Sequence, residues 1–376
     1  MTTSLDRRAL NRATLARQLL LERAELPVPA AVEHLVGLQA QTPQTWYVGL
    51  WTRLAGFDPV AVGELLADRR LVRLPVMRST IHLLTADDAL GIRPLTQAPI
   101  ERSTMGQFGR YLRGVDRDTL VTAARDSLAE GPLIASELGR RLAGVFPGRD
   151  ADALAQAARA WLPMVQVPPR GVWRRSGRAL QAPLDTWIGR PPVALPVESL
   201  VLRYLAAFGP ATARDVQTWC GLTRIAEVLD RLRPQLRQFT SDDSAELFDL
   251  PDAPRPDADT PAPVRFLYDF DNLLLSHADR RRVLGEPGDV DFAAQGYSGD
   301  SNLQPSSVLV DGLVAGTWQA GRDRDTATLE VRGFRPFTPE EVAAIEAEGA
   351  QLLRFLHPGR AQDVRVVAGP ARLDGA

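Results

Sequence analysis

The sequence predicts an α+β protein: three tandem winged helix-turn-helix units followed by a β-rich, barrel-like C-terminal domain with one helix. Three observations carry that prediction. First, two related segments, EGPLIASELGRRLAG at 130–144 and FGPATARDVQTWCG at 208–221, each place an acid (Glu137, Asp215) five residues after a Gly-Pro step. Second, each segment is followed by one further helix-like stretch and then two strand-like pieces around a turn. Third, beyond a proline-rich acidic stretch the apolar period changes to two, the period of strands.

The length of 376 residues suits two or three units, each burying its own core. Hydrophobic residues make up 45% and charged residues 24%, a globular balance, and the formal net charge is only -2. No apolar run approaches the roughly 18 residues of a membrane span, and MTTSLDRRALNRATLARQLL shows no secretory signal. The single cysteine, Cys220, makes neither an internal disulfide nor a thiolate metal site, and its place beside Trp219 suggests a small packed hydrophobe. A cytoplasmic protein with no membrane partner is expected.

All 44 basic side chains are arginine; the sequence has no lysine. That excludes a Walker A loop, a kinase-type strand lysine, a pyridoxal Schiff base and any lysine nucleophile. It also points to a coding bias, so the arginine count by itself says nothing about nucleic acid.

Residues 1–110 read as a divergent first unit. Helical RATLARQLLLER is followed by Pro27 and Pro29, helical AAVEHLVGLQAQ ends at Pro43, a further helix covers 59–68, and LVRLPV and STIHLLT read as strands. In the second unit, 115–192, Leu133, Leu138 and Leu142 share a face at helical spacing. DADALAQAARAWL is the next helix, and MVQVPPRGVWRRSG reads as two strands turning at Pro169-Arg170-Gly171. The third, 193–250, repeats the pattern with Ala211, Val216 and Trp219, then RIAEVLDRLRPQL and the strand pieces of RQFTSDDSAELFDL.

Residues 251–263 carry prolines 251, 254, 256, 261 and 263 within an acidic run, which reads as a solvated linker. In 264–376, VRFLYDF, SSVLVDGLVAGTW and TATLEVRGF alternate as strands. TPEEVAAIEAEGAQLLRFL forms one helix, with Thr338 and Glu341 spaced for a capping box.

Candidate chemistry begins at Gln39-Ala40-Gln41. Pro43 disfavours helix at Thr42, so both amides sit at the last turn or exit of a helix. Read alone they are either a polar surface terminus or two donor–acceptor groups projecting into a groove. Alternation along 78–84 puts Arg78, Thr80 and His82 on one face. They form either a polar wall with Arg78 on a phosphate, or a histidine bonded to backbone beside an arginine paired with an acid. Arg174, Arg175 and Arg178 lie in 165–190, where five arginines meet one aspartate. They are a wing on a duplex, or an exposed hairpin in an arginine-biased chain. Asp269, Asp271, His277 and Asp279 have metal-ligand chemistry but irregular spacing, which favours a structural network; neither a metal nor another cofactor is expected. His34 and His357 need no special role.

Together, residues 37–43, Arg78-Ser79-Thr80-Ile81-His82-Leu83, the Phe208-Gly209-Pro210 segment with Asp215, Trp219 and Gly221, and residues 271–280 (DNLLLSHADR) resemble the AlkZ/YcaQ family of bacterial tandem winged-helix DNA glycosylases. The likeness covers nearly the whole chain. In that family a Gln-apolar-Gln or Gln-apolar-Asp motif is catalytic, and Gln39-Ala40-Gln41 is similar to the first form, that of the branch which unhooks interstrand crosslinks. The resemblance implies a monomeric, monofunctional DNA glycosylase acting near the nucleoid on double-stranded DNA with bulky cationic N7-alkylpurines. Crosslink unhooking and self-resistance to an alkylating antibiotic belong to the same expectation. The alternatives are a non-catalytic winged-helix transcription regulator, which binds DNA selectively and leaves no abasic product, and a protein-interaction scaffold, which retains no DNA.

Overall fold

The computed structural model describes residues 3–285, 290–297 and 305–368. Its α+β architecture is built on three sheets among the described residues, and two of them join parts that lie far apart in sequence.

A six-stranded antiparallel sheet runs in the order Leu38–Gln39, Ile81–Thr85, Leu71–Pro75, Met164–Gln166, Leu180–Pro183, Leu133–Ile134. The pair Arg73 and Gln166 links its two halves, so strands assigned by sequence to a first and a second unit share one sheet. Helices Arg117–Leu128 and Ala151–Trp161 start at Asp116 and Asp150, whose carboxylates accept from Thr119 N and Ala153 N. With Ala135–Val145 they bury Leu120, Leu138, Leu142 and Leu154 in a core of their own.

Val197–Phe208, Ala213–Cys220 and Ile225–Leu232 form another three-helix run, followed by the antiparallel pair Arg237–Ser241 and Glu246–Asp249. Thr212 and Asp215 make a complete capping box at the second of these helices, and Gly221 ends it at φ 74°. Tyr204, Phe208 and Trp219 pack ring against ring at centroid distances of 5.0–5.8 Å. The N-terminal strand Thr3–Leu5 adds to this sheet in parallel with Arg237–Ser241.

The C-terminal sheet corrects one expectation: it is not a barrel. Its order is Arg265–Leu267, Ser307–Val310, Leu313–Arg322, Thr326–Gly333, Ala361–Ala368, with the first and last strands unjoined. The last strand pairs in parallel with Thr326–Gly333, a connection made by helix Pro339–Leu356. That helix covers a face with Ile345, Leu352 and Leu353, so the sheet buries its apolar side without closing. Thr338 and Glu341 form its capping box, at the spacing predicted.

Local readings differ from the structure in several places, among them Leu133, read at helical spacing with Leu138 and Leu142 but placed in strand Leu133–Ile134. The turn predicted at 169–171 is a longer excursion, since the flanking strands are Met164–Gln166 and Leu180–Pro183. The helix predicted through the glutamines stops at His34. Helices Ala86–Leu95 and Gln97–Phe108 went unpredicted because Pro94 and Pro99 punctuate them, yet Pro94 sits inside the first.

Several arginines are core residues. Arg17 is fully buried, bonds both oxygens of Asp249 at 2.6 and 2.9 Å, and donates to the carbonyls of Leu205 and Pro254. Arg53 bonds both oxygens of Asp271 at 2.7 and 2.8 Å. The planar five-donor fork makes such sites possible, as an ammonium could not.

Candidate active site

The segment after helix Val28–His34 turns on Val36 (φ 54°) and Gly37 (φ 86°) and then enters an edge strand. A Cβ on Gly37 would lie 2.9 Å from the Leu83 carbonyl oxygen, so glycine is required by both conformation and space. Leu38 and Gln39 pair with Leu83 and His82, and Ala40 N donates to Ile81 O at 2.7 Å. Gln39 therefore lies on an extended edge and Gln41 just beyond it, not at a helix end. The strand covers Leu38–Gln39, and Gln41 lies in the bend that follows it. Gln39 is buried at 3% exposure, Ala40 is fully buried, and Gln41 is exposed.

Both amides are oriented by donors. Gln39 Oε1 accepts from Arg78 Nη2 at 2.7 Å, and Gln41 Oε1 accepts from Ile81 N at 3.2 Å. Each oxygen keeps one lone pair, and each NH2 is left to donate elsewhere.

The predicted wall of Arg78, Thr80 and His82 is rearranged. The strand starts at Ile81, and Arg78 and Ser79 both have positive φ, so the three side chains do not alternate along one strand face. The Arg78 guanidinium bonds Gln39 and the carbonyl of Trp219 (3.1 Å); it pairs with an amide, not an acid. Burial lowers its pKa to about 10, which leaves it charged at neutral pH. Thr80 Oγ1 donates to Met77 O at 3.1 Å, and Thr80 O accepts from His82 Nδ1 at 2.9 Å.

His82 is 1% exposed and faces inward. Burial, reinforced by the charge of Arg78, lowers its pKa to about 3, so the ring is neutral. The unfolded ring binds a proton near pH 6.5 and the folded one only near pH 3. Stability therefore falls as pH drops through that window. Urea unfolding across pH 4–6.5 is expected to show this slope, and His82→Gln to remove about one proton from it. An unchanged slope in the variant would show that His82 is already charged in the fold.

A segment more than two hundred residues away clamps the motif. Asn272 Nδ2 donates to Gly37 O at 2.6 Å while its Oδ1 accepts from Gln39 N at 3.3 Å, acting as a one-residue strand partner. Tyr268 OH donates to Gln39 O at 2.9 Å. Thr42 Oγ1 donates to Asp269, Asp271 is held by Arg53, and Asp279 pairs with Arg281. His277 bonds the Phe208 carbonyl through Nε2. These four polar residues thus have separate partners. Asn272 and Tyr268 were missed as supports because no local spacing marks them.

The arginine-rich loop docks beside the motif. Gln44 uses both ends of its amide: Oε1 accepts from Arg174 N at 3.0 Å, and Nε2 donates to Val172 O at 2.8 Å and Arg175 O at 3.3 Å. Arg174 itself turns away and donates to Leu356 O at 2.7 Å. Arg175 and Arg178 are exposed, and their guanidinium groups have no bonded partner among the described residues. Thr42 and Pro43 border an open groove of about 900 Å³ that Arg170, Arg174, Arg175 and Arg322 also line, with no carboxylate among the described residues. His357 in its wall has a lowered pKa through burial and then the charges of Arg322, Arg174 and Arg360.

Thr42 joins the Gln39-Ala40-Gln41 segment to this arginine-bearing groove, whose lining includes neither glutamine. The chain belongs to the AlkZ-like family: the family model described as DNA glycosylase AlkZ-like matches residues 32–355. It is, accordingly, a DNA glycosylase. A curated relative, the interstrand DNA cross-link repair glycosylase of Streptomyces sahachiroi, is 25% identical over 369 residues, covering 90% of this chain and 94% of the relative. The solved structure of Streptomyces sahachiroi DNA glycosylase AlkZ superimposes with a TM-score of 0.70 at 21% identity, covering 98% of this chain and all of that one; it supports the fold. No helix among the described residues is long and apolar enough to cross a membrane.

Proposed function

We propose that the protein is a monofunctional glycosylase that hydrolyses the N-glycosidic bond of bulky cationic N7-alkylpurines in double-stranded DNA, with Gln39 and Gln41 as its catalytic residues. The observation that carries this reading is the pair of donor-oriented amides at the end of an edge strand, one residue from a groove lined by arginines and, among the described residues, by no carboxylate. An N7-alkylated purine already carries positive charge, so it leaves without being protonated. The remaining task is to place a water at C1′ and stabilise an oxocarbenium-like sugar. Gln41, exposed, hydrogen-bonds the water; Gln39, held by Arg78, forms the floor beneath the sugar. Neither needs a shifted pKa, and without lysine no side-chain Schiff base leads to strand cleavage.

The three helix-rich portions are read as tandem winged-helix units, 1–110, 115–192 and 193–250, with 251–263 as linker to the C-terminal domain at 264–376. A monomer of this shape in the cytoplasm, at the nucleoid, suits an open cleft that accepts a crosslinked adduct. Crosslink repair, as in the Streptomyces sahachiroi relative, and self-resistance to an alkylating antibiotic extend the same chemistry. Arg175 and Arg178 are the phosphate contacts, Arg174 lines the same groove as Arg175, and Arg78, Thr80 and His82 support the site from behind.

The test is incubation with duplex containing N7-methylguanine, followed by alkaline cleavage of abasic sites. Free base with strand breaks only after alkali is expected. Tight binding without base release would instead identify a regulator. Replacing both Arg175 and Arg178 by alanine is expected to weaken duplex binding and lower the slope of log K against log salt by roughly 2, because each phosphate contact releases about one counterion. An unchanged slope would place the duplex elsewhere.

A further inference from the structure

Arg73 lies in strand Leu71–Pro75 at 1% exposure, behind the Gln39-Ala40-Gln41 edge. Its Nη2 donates to the Ala40 carbonyl at 2.7 Å. Its Nε and Nη1 are buried without a hydrogen-bond partner, and no carboxylate pairs with it among the described residues. In register it stands opposite Gln166, and Gln166 opposite Gln181; the Oε1 atoms of both are also buried and unpaired. On its other flank Gly171, at φ 91°, opens the arginine-rich loop, and a Cβ there would lie 2.8 Å from Arg73 Nη1.

A guanidinium buried with no counter-ion is among the most unfavourable occupants of a core. A methionine fills similar length without desolvating a charge. Where a residue violates the packing rules without a packing gain, the reason is sought in function. Strand pairing and the bonds from Asn272 and Tyr268 hold Gly37 to Gln39, while the Ala40 carbonyl is held by Arg73.

We infer that Arg73 is a positioning residue: its hydrogen bond to the Ala40 carbonyl, braced by the close approach of Gly171, sets the strand that presents Gln39 and Gln41 and ties it to the arginine-rich loop. This rests on the reading of the two glutamines as catalytic. Misplacement of reacting groups by about 1 Å costs on the order of 100-fold in rate.

The experiment compares Arg73→Met and Arg73→Gln in the full-length protein. It follows single-turnover release of N7-methylguanine, thermal unfolding, and hydrogen–deuterium exchange of residues 36–42. Arg73→Met is expected to unfold no lower than the parent, to exchange faster over 36–42, and to release base roughly 10- to 100-fold more slowly with duplex affinity unchanged. Arg73→Gln, which keeps a donor for Ala40, is expected to recover much of both losses.

A parental rate in Arg73→Met overturns the inference. So do equal losses in the two variants, or a rate loss that only follows a lowered melting temperature. If the parent itself releases no base while exchange over 36–42 still depends on Arg73, the glycosylase reading fails and the positioning role stands.

Discussion

Gln39→Ala and Gln41→Ala are each expected to slow release of N7-methylguanine from duplex DNA by roughly 10²–10³-fold, the usual loss on removing one preorganised polar group from a transition state. In the proposed mechanism the amides meet the sugar and water and the arginines hold the backbone, so the loss is expected on the rate at saturation and not on affinity. The two variants differ in stability. Gln41 is exposed and its one bond, from Ile81 N, is long at 3.2 Å, so its truncation is expected to cost less than that of Gln39. Gln39→Ala removes the acceptor of Arg78 Nη2 and costs about 1–3 kcal/mol through the unsatisfied donor. The double variant is expected to be little slower than either single one, since groups that act on one water are not additive. Parental release by either variant, measured on folded protein, would remove that glutamine from the mechanism.

The largest stability effect is expected at Asp271→Ala. Asp271 is fully buried, holds both Nη atoms of Arg53, and accepts from Leu273 N at the start of helix Asn272–Leu275. Truncation strands the Arg53 charge in the core, where breaking such a pair costs about 3–5 kcal/mol. It also frees the segment whose Tyr268 and Asn272 hold the backbone of Gln39, so base release should fall with stability. Replacing both partners, with Arg53→Met and Asp271→Leu together, removes the stranded charge and is expected to be milder than Asp271→Ala alone. Urea unfolding decides the matter: a loss below about 1 kcal/mol for Asp271→Ala would mean that water reaches Arg53 and compensates it.

What was legible in the sequence was short-range. The capping box read at Thr338/Glu341 closes within three residues and is present; the one at Thr212/Asp215 went unread. Leu138 and Leu142, and likewise Val216 and Trp219, are buried on the faces their spacing predicts. The clustered arginines 174, 175 and 178 were visible as charge, but not which of them is free. Arg174 is taken by Leu356 O, 182 residues away, and no local rule reaches that far. The helix drawn through Gln39 and Gln41 failed for a related reason. The apolar spacing fitted a helix, while pairing with Ile81–Thr85 and the amide of Asn272 favoured an extended strand.

Residue order alone bounded the chemistry open to this chain, with arginine and no lysine, and marked several helix ends in their own few residues. Tertiary packing decided which groups meet. Arg78 reaches Gln39, Asn272 pairs with its backbone, and Gln44 pins the arginine loop. Those contacts join residues from 39 to 233 positions apart, because a hydrogen bond in a core is selected by which surfaces exclude water together and not by distance along the chain.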